Sequence, residues 1–314
     1  MKAQGKGPVD RRFVIVAGKG GVGRTTFAAA LARIGAGQGR RVLLCQTRAK
    51  DRLAGMLGVA AIGDQIAPVA DNLWAVNMDP KAALREYGMM VMRFPAVYRA
   101  VFENRPLRAF LRAVPGLYEF AMLGKACFHA HERKGGRDRF DTVILDGPAT
   151  GHLLQMLRLP RAVLGAIPAG PLAREARAAE ELLHDPRRTA AHVVTLAEEM
   201  PVAEALDLYR ALRDDLRIPL GRLVVNALYP DRFLPGGAAA RVLDRIERAE
   251  LAANLRGAID AARLARSRHA LQQRYLQRLS AELPLPQVRL PAMFVPALGQ
   301  TEILELSFAI EAQI

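Results

Sequence analysis

Short runs of consecutive apolar residues recur along the chain. Each is followed by a longer stretch in which apolar residues return every three or four positions. Phe13-Val14-Ile15-Val16-Ala17 is the first run; a glycine-rich turn follows, then a helical pattern from about Thr25 to Gly35. Further runs lie at Val42–Cys45, Leu73–Val76, Thr142–Asp146, His192–Thr195, Leu223–Asn226 and Gln287–Leu290. A continuous apolar run of four to eight residues is the mark of a strand buried on both faces. Such strands separated by helices predict an α/β architecture: a doubly wound, mostly parallel sheet.

Two stretches break the alternation. Residues about 81–134 and about 238–281 read as almost wholly helical. The first is rich in Met and Phe (Met89, Met90, Met92, Phe94, Phe102, Phe110, Phe120, Met122) and the second in Arg and Leu. Neither a repeat nor a low-complexity linker separates them from the rest. The expectation is one domain spanning 1–314 that carries a helical subdomain built from these segments.

Composition narrows the class. Of 314 residues 51% are hydrophobic and only 6% aromatic, which suits an Ala/Leu-rich α/β core. The formal charge is +14, but the excess is Arg spread along the chain, with no basic block and no basic–aromatic interleaving. This is weak ground for a nucleic-acid surface, and nucleic acid is disfavoured as a partner. Cys45 and Cys127 lack metal-ligand or redox spacing. A polar Met1–Arg12 and the lack of a long apolar stretch predict a cytoplasmic chain with no integral membrane segment.

The sharpest signal is Gly18-Lys19-Gly20-Gly21-Val22-Gly23-Arg24-Thr25-Thr26. Two glycines bracket four residues between a predicted strand and a predicted helix, which is the setting of a P-loop. The glycines let backbone N–H groups converge on phosphate oxygens, and the helix N-terminus adds positive potential. Thr25 would offer its hydroxyl to Mg²⁺. The early Lys19 makes this a deviant Walker A; in loops of this kind that Lys crosses a dimer interface to the partner's nucleotide. Arg24 stands where such loops carry Lys, and a planar fork does not replace a compact ammonium atom for atom.

A second motif, Asp146-Gly147-Pro148-Ala149-Thr150-Gly151-His152, follows the fourth strand. A carboxylate there organises Mg²⁺ and its water, and the turn after it senses the γ-phosphate. A lone His such as His152 is more often structural than catalytic. These stretches together resemble the ArsA-like ATPases, the arsenite-pump and tail-anchored-protein-targeting group. Gln155–Pro160, His184-Asp185-Pro186, Val193–Val202, Val224-Val225-Asn226 and Leu290–Pro296 continue the similarity over nearly the whole chain. The resemblance implies ATP and Mg²⁺ as cofactors. It gives Lys19, Arg24 and Asp146 catalytic roles, and Thr25 and Asp146 the metal. The nucleotide falls to the P-loop from Gly18 to Thr26, with Asn226 at the adenine edge and Pro296 closing the base pocket.

The chain departs from that family where an Asp positions the attacking water: the segment is Gln46-Thr47-Arg48-Ala49-Lys50-Asp51, with Arg48 at the matching place. A cation cannot orient water as a carboxylate does. The cysteines of both classical branches are also missing. Two readings therefore stand. In one, a dimeric ATPase couples Mg·ATP hydrolysis to a conformational change that acts on a protein partner or cargo. In the other, the chain is a hydrolysis-deficient subunit that supports an active ArsA-like paralogue in a heterodimer. A third gives the Met-rich segment a hydrophobic-client role, against the ordinary expectation that Met stripes pack inside. A partition-type ATPase shares the loop but not the Ala-Thr-Gly-His turn.

Overall fold

The computed structural model describes residues 7–47, 52–92, 116–167, 169–230, 241–243, 245 and 253–314. All seven predicted strands are present: β1 (Phe13–Gly18), β2 (Val42–Thr47), β4 (Leu73–Met78), β7 (Thr142–Asp146), β8 (Thr189–Leu196), β9 (Leu220–Leu228) and β10 (Gln287–Pro291). They form one parallel sheet in the order β10-β9-β8-β1-β7-β2-β4, with a short antiparallel strand, β3 (Ala67–Ala70), closing the β4 edge. β1 lies centrally, between β7 and β8.

The sheet is buried on both faces because the central strands are apolar at most positions, β1 from Phe13 to Ala17 without a break. Phe13, Ile15 and Ala17 enter one core and Val14 and Val16 the other, as the period-2 pleat requires. One face is covered by α1 (Arg24–Gly37), α2 (Arg52–Leu57) and α9 (Gln300–Glu311). The other carries α4 (Leu117–His131), α5 (Thr150–Ala166), α6 (Pro171–His184), α7 (Glu199–Arg210) and the C-terminal half of α8 (Ala253–Glu282). α7 widens into a π turn at Ala211–Asp215.

Within the first helical stretch, α3 (Pro80–Met92) packs on α4. Their axes approach closely because Gly124 leaves room for the Tyr87 ring; a Cβ on Gly124 would lie 2.2 Å from Tyr87 Cζ. Lys125, next to it, is buried and pairs with Glu86 at 2.5 Å. The helix ends at His131, short of the expected 134. Arg133–Lys134 (β5) and Arg137–Asp138 (β6) instead form a small hairpin around Gly135-Gly136, both glycines at positive φ. Phe120 and Met122 are core residues while Met89 is exposed. Phe94, Phe102 and Phe110 lie outside the described residues, as does most of 238–252.

Among the described residues no helix is long and apolar enough to cross a membrane. Both thiols are buried, and burial pushes the Cys45 thiol up to about 12.

Candidate nucleotide-binding site

The chain leaves β1 at Gly18, turns through Lys19–Gly23 and enters α1 at Arg24, so the loop sits at the carboxyl end of the central strand. Open parallel sheets bind ligands at this edge, where neighbouring strands lead to opposite faces. Gly23 has to be glycine for two reasons. Its φ is 94°, and a Cβ would fall 2.0 Å from Asn226 Nδ2. That amide nitrogen donates to the Val22 carbonyl at 3.0 Å. The end of β9 thereby buttresses the loop from below.

Behind the loop, Thr25 Oγ1 donates to Asp146 Oδ2 at 2.7 Å. Gln46 Nε2 approaches the same oxygen at 3.4 Å, and Thr47 Oγ1 donates to the Asp146 carbonyl at 3.2 Å. Three adjacent strand ends thus converge on one carboxylate, since β1, β7 and β2 are neighbours in the sheet. Burial pushes the Asp146 carboxyl above the usual carboxylate range, against the opposing pull of Thr25, Arg24 and Gln46. Arg24 is half-buried. Its Nη1 donates to the Gly147 carbonyl, and burial lowers its pKa despite the nearby Asp146 charge. Two buried oxygens here, Gln46 Oε1 and Thr150 Oγ1, have no hydrogen-bond partner among the described residues.

An open cavity of about 910 Å³ extends from the loop. Gly21, Gly23, Arg24, Thr25 and Thr26 form one wall, Gln46, Arg52 and Met56 a second, and Asn226 with Met293, Pro296 and Leu298 a third. The sequence-predicted residues Arg24, Thr25, Thr26, Asn226 and Pro296 are therefore brought together. Val22 is buried beneath the loop, Gly20 is at its exposed tip and Gly18 ends β1. Lys19 points elsewhere: its Nζ pairs with Glu204 Oε1 on α7 at 2.6 Å. Arg48 and Asp51 lie outside the described residues. His152 is exposed on α5.

Sequence reasoning had named Gln46 only as part of a segment and had not singled out Glu204, Arg52 or Met56. Nothing in their local pattern marks them; the sheet order and the return of α7 put them in place.

A family model described as anion-transporting ATPase matches residues 11–167, which include the loop, the Asp146 turn and α5. The chain belongs to the anion-transporting ATPase family. ATPase BagA of Mycobacterium tuberculosis is 30% identical over 71% of this chain and 67% of its own length. The arsenical pump-driving ATPase of Escherichia coli is 29% identical over 69% of this chain, which spans only 40% of that protein. ATPase GET3 of Kluyveromyces lactis is 30% identical over 48% of this chain and 45% of its own length. As a member of that family the chain is a nucleotide-binding ATPase in kind, and its sheet and loop are those of an α/β P-loop fold.

Proposed function

We propose that the chain binds Mg·ATP in the 910 Å³ cavity and uses the cycle of binding and hydrolysis to change its fit to a protein partner or cargo. One observation carries this reading: a glycine-built loop at the central strand's carboxyl end, with a hydroxyl and a buried carboxylate 2.7 Å apart behind it. Loop amides would take the phosphate oxygens and Arg24 would neutralise charge in cis. Asn226 and Pro296 would flank the base.

The donor set fits Mg²⁺. Thr25 Oγ1, Asp146 Oδ2 and the unpartnered Gln46 Oε1 are hard oxygens, and a buried carboxylate disfavoured in its charged form gains most from a cation. When bound, the ion would offset charge on the transferring phosphoryl group. Thr25 and Asp146 would hold it, and the orphan Thr150 hydroxyl would meet the γ-phosphate side. In the dimer that the resemblance implies, Lys19 would serve the partner's nucleotide.

A hydrolysis-deficient subunit is the second reading. It is favoured by the engagement of Arg24 with Gly147 and its partial desolvation, where a Walker Lys would meet phosphate directly.

Calorimetric titration with Mg·ATP should give saturable one-to-one binding, and no binding by folded protein would sink both readings. ATP turnover then separates them. Steady turnover by the isolated chain supports the first, and turnover only with an added paralogue supports the second.

A further inference from the structure

Ala227 lines the cavity next to Asn226 and has φ 54°. The left-handed region is costly for a residue with a Cβ, and it persists only where the surroundings force it. The other described non-glycine residues in that region, Asn72 and Arg217, do not line this cavity.

Ala227 lies where β9 bulges against β10, between Val225 opposite Arg289 and Leu228 opposite Pro291, and α8 braces that bulge from the side. Gln272, on its packed face, is only 6% exposed. Its side-chain amide is used at both ends: Nε2 donates to the Ala227 carbonyl at 3.0 Å, and Oε1 accepts from the Tyr229 N–H at 2.8 Å. One helical turn earlier, His269 Nδ1 lies 3.1 Å from the Tyr229 carbonyl, while its Nε2 faces Gln273 Nε2 at 3.2 Å. This pairing makes Nδ1 the donor. Three hydrogen bonds thus clip the chain leaving β9 onto α8. The same short segment holds Asn226 against Val22 of the P-loop, and its Tyr229 ring meets Phe294 edge-to-face, centroids 5.3 Å apart, beside the Met293–Pro296 wall.

We infer that Gln272 is a positioning residue for the base side of the nucleotide site. By clamping Ala227 in its left-handed conformation it aims Asn226 at both the loop and the cavity, and it makes α8 mechanically part of the site. A buried amide with both ends spent on two backbone groups two residues apart is matched to that turn. An apolar residue of similar size would fill the space and leave the Ala227 carbonyl and Tyr229 N–H unpaired. This inference rests on the nucleotide reading above.

The test is a double-mutant cycle on the full chain, read as calorimetric Kd for Mg·ATP, with thermal unfolding as a fold control. Gln272→Leu removes two hydrogen bonds and should weaken binding by about tenfold. In an Ala227→Gly background the same change should cost about twofold, because glycine occupies the left-handed region without a clamp. Gln272→Met removes the same two hydrogen bonds with an unbranched side chain of similar length; it should weaken binding as Gln272→Leu does, and it serves in place of that variant if Leu does not fold. Equal Kd for parent and both variants, or an equal penalty in the two backgrounds, overturns the inference, since a packing role would not be relieved by glycine at position 227. A parent chain that binds no Mg·ATP overturns the nucleotide reading itself and leaves wild-type and variant indistinguishable, a different result from either.

Discussion

Lys19 and Glu204 are joined in an ion pair 2.6 Å long that ties the P-loop to α7 of the same chain. Both side chains are about one-third exposed, so water screens the pair and it is worth about 0–1 kcal/mol. A tie this weak can be exchanged for a phosphate, yet it competes with any role of Lys19 toward a partner's nucleotide. Glu204→Gln should therefore raise Mg·ATP turnover at subsaturating nucleotide by up to about fivefold, the whole worth of the pair. Lys19→Ala should lower kcat by about a hundredfold or more if its charge serves the transition state. Steady-state assays at two salt concentrations would check both; a drop in turnover with Glu204→Gln would show Glu204 to be a helper of Lys19, not a competitor.

Asp146 gives a prediction with opposite signs for stability and function. Burial raises its folded pKa above the unfolded value. Between the two values the native state holds more protons, so stability falls as pH rises through that window, and at neutral pH the ionised carboxylate is a cost to the nucleotide-free fold. Asp146→Asn removes the charge and keeps an oxygen acceptor for Thr25. It should raise the melting temperature at pH 7 by about 2 °C or more and abolish the further rise caused by Mg·ATP. Thermal unfolding with and without Mg·ATP measures both; a lower melting temperature for the variant would contradict the sign argued here.

The residues that were legible in advance are those whose local pattern is itself the physics. β1, β2 and β7 are apolar at nearly every position because both their faces are covered. The loop shows its glycines because the backbone must turn within reach of Asn226. β3 was missed because Ala67-Pro68-Val69-Ala70 is a short, mostly exposed edge strand with a proline and no alternation to read. Glu204 and Gln272 were missed for another reason. Each sits on an amphipathic helix like any other polar residue, and only the tertiary return of α7 to Lys19 and of α8 to Ala227 gives it a partner. Arg24 was recognised as a departure from Lys, but its contact with the Gly147 carbonyl depends on how far the β7 turn lies from α1.

The buried pair in the α3–α4 layer predicts a stability asymmetry. Lys125 is 2% and Glu86 15% exposed, and Lys125 Nζ also lies 3.3 Å from the Asp64 carbonyl. Removing Lys125 leaves the Glu86 charge poorly solvated, with only the neutral Gln65 amide at 2.6 Å beside it. Lys125→Ala should cost about 3–5 kcal/mol, while Lys125→Met combined with Glu86→Leu should come within about 1 kcal/mol of the parent. Chemical denaturation of the three proteins decides; equal losses for the single and double variants would mean that the ion pair itself, not the apolar volume restored by Met and Leu, is what the layer needs.

His192 should set the acid limit of the fold. It lies in β8 against Phe27 of α1, ring centroids 5.7 Å apart; Nε2 is 3.2 Å from the Pro8 carbonyl, and Nδ1 accepts the Arg222 N–H at 2.9 Å. The ring is thus held neutral, with one nitrogen donating and one accepting, and burial lowers its pKa from 6.5 to about 4. Between these values the unfolded chain binds more protons than the native one, so stability rises with pH across this window and is lost as pH falls from about 6.5 toward 4. The shift corresponds to about 3 kcal/mol across that range. A neutral replacement that still accepts from Arg222, His192→Gln, should start from a lower stability at pH 7 but show a flatter pH dependence below pH 6.5. Urea midpoints for both proteins from pH 7 to 4 would measure the two slopes. Parallel slopes would move the acid sensitivity to other groups and leave His192 as packing alone.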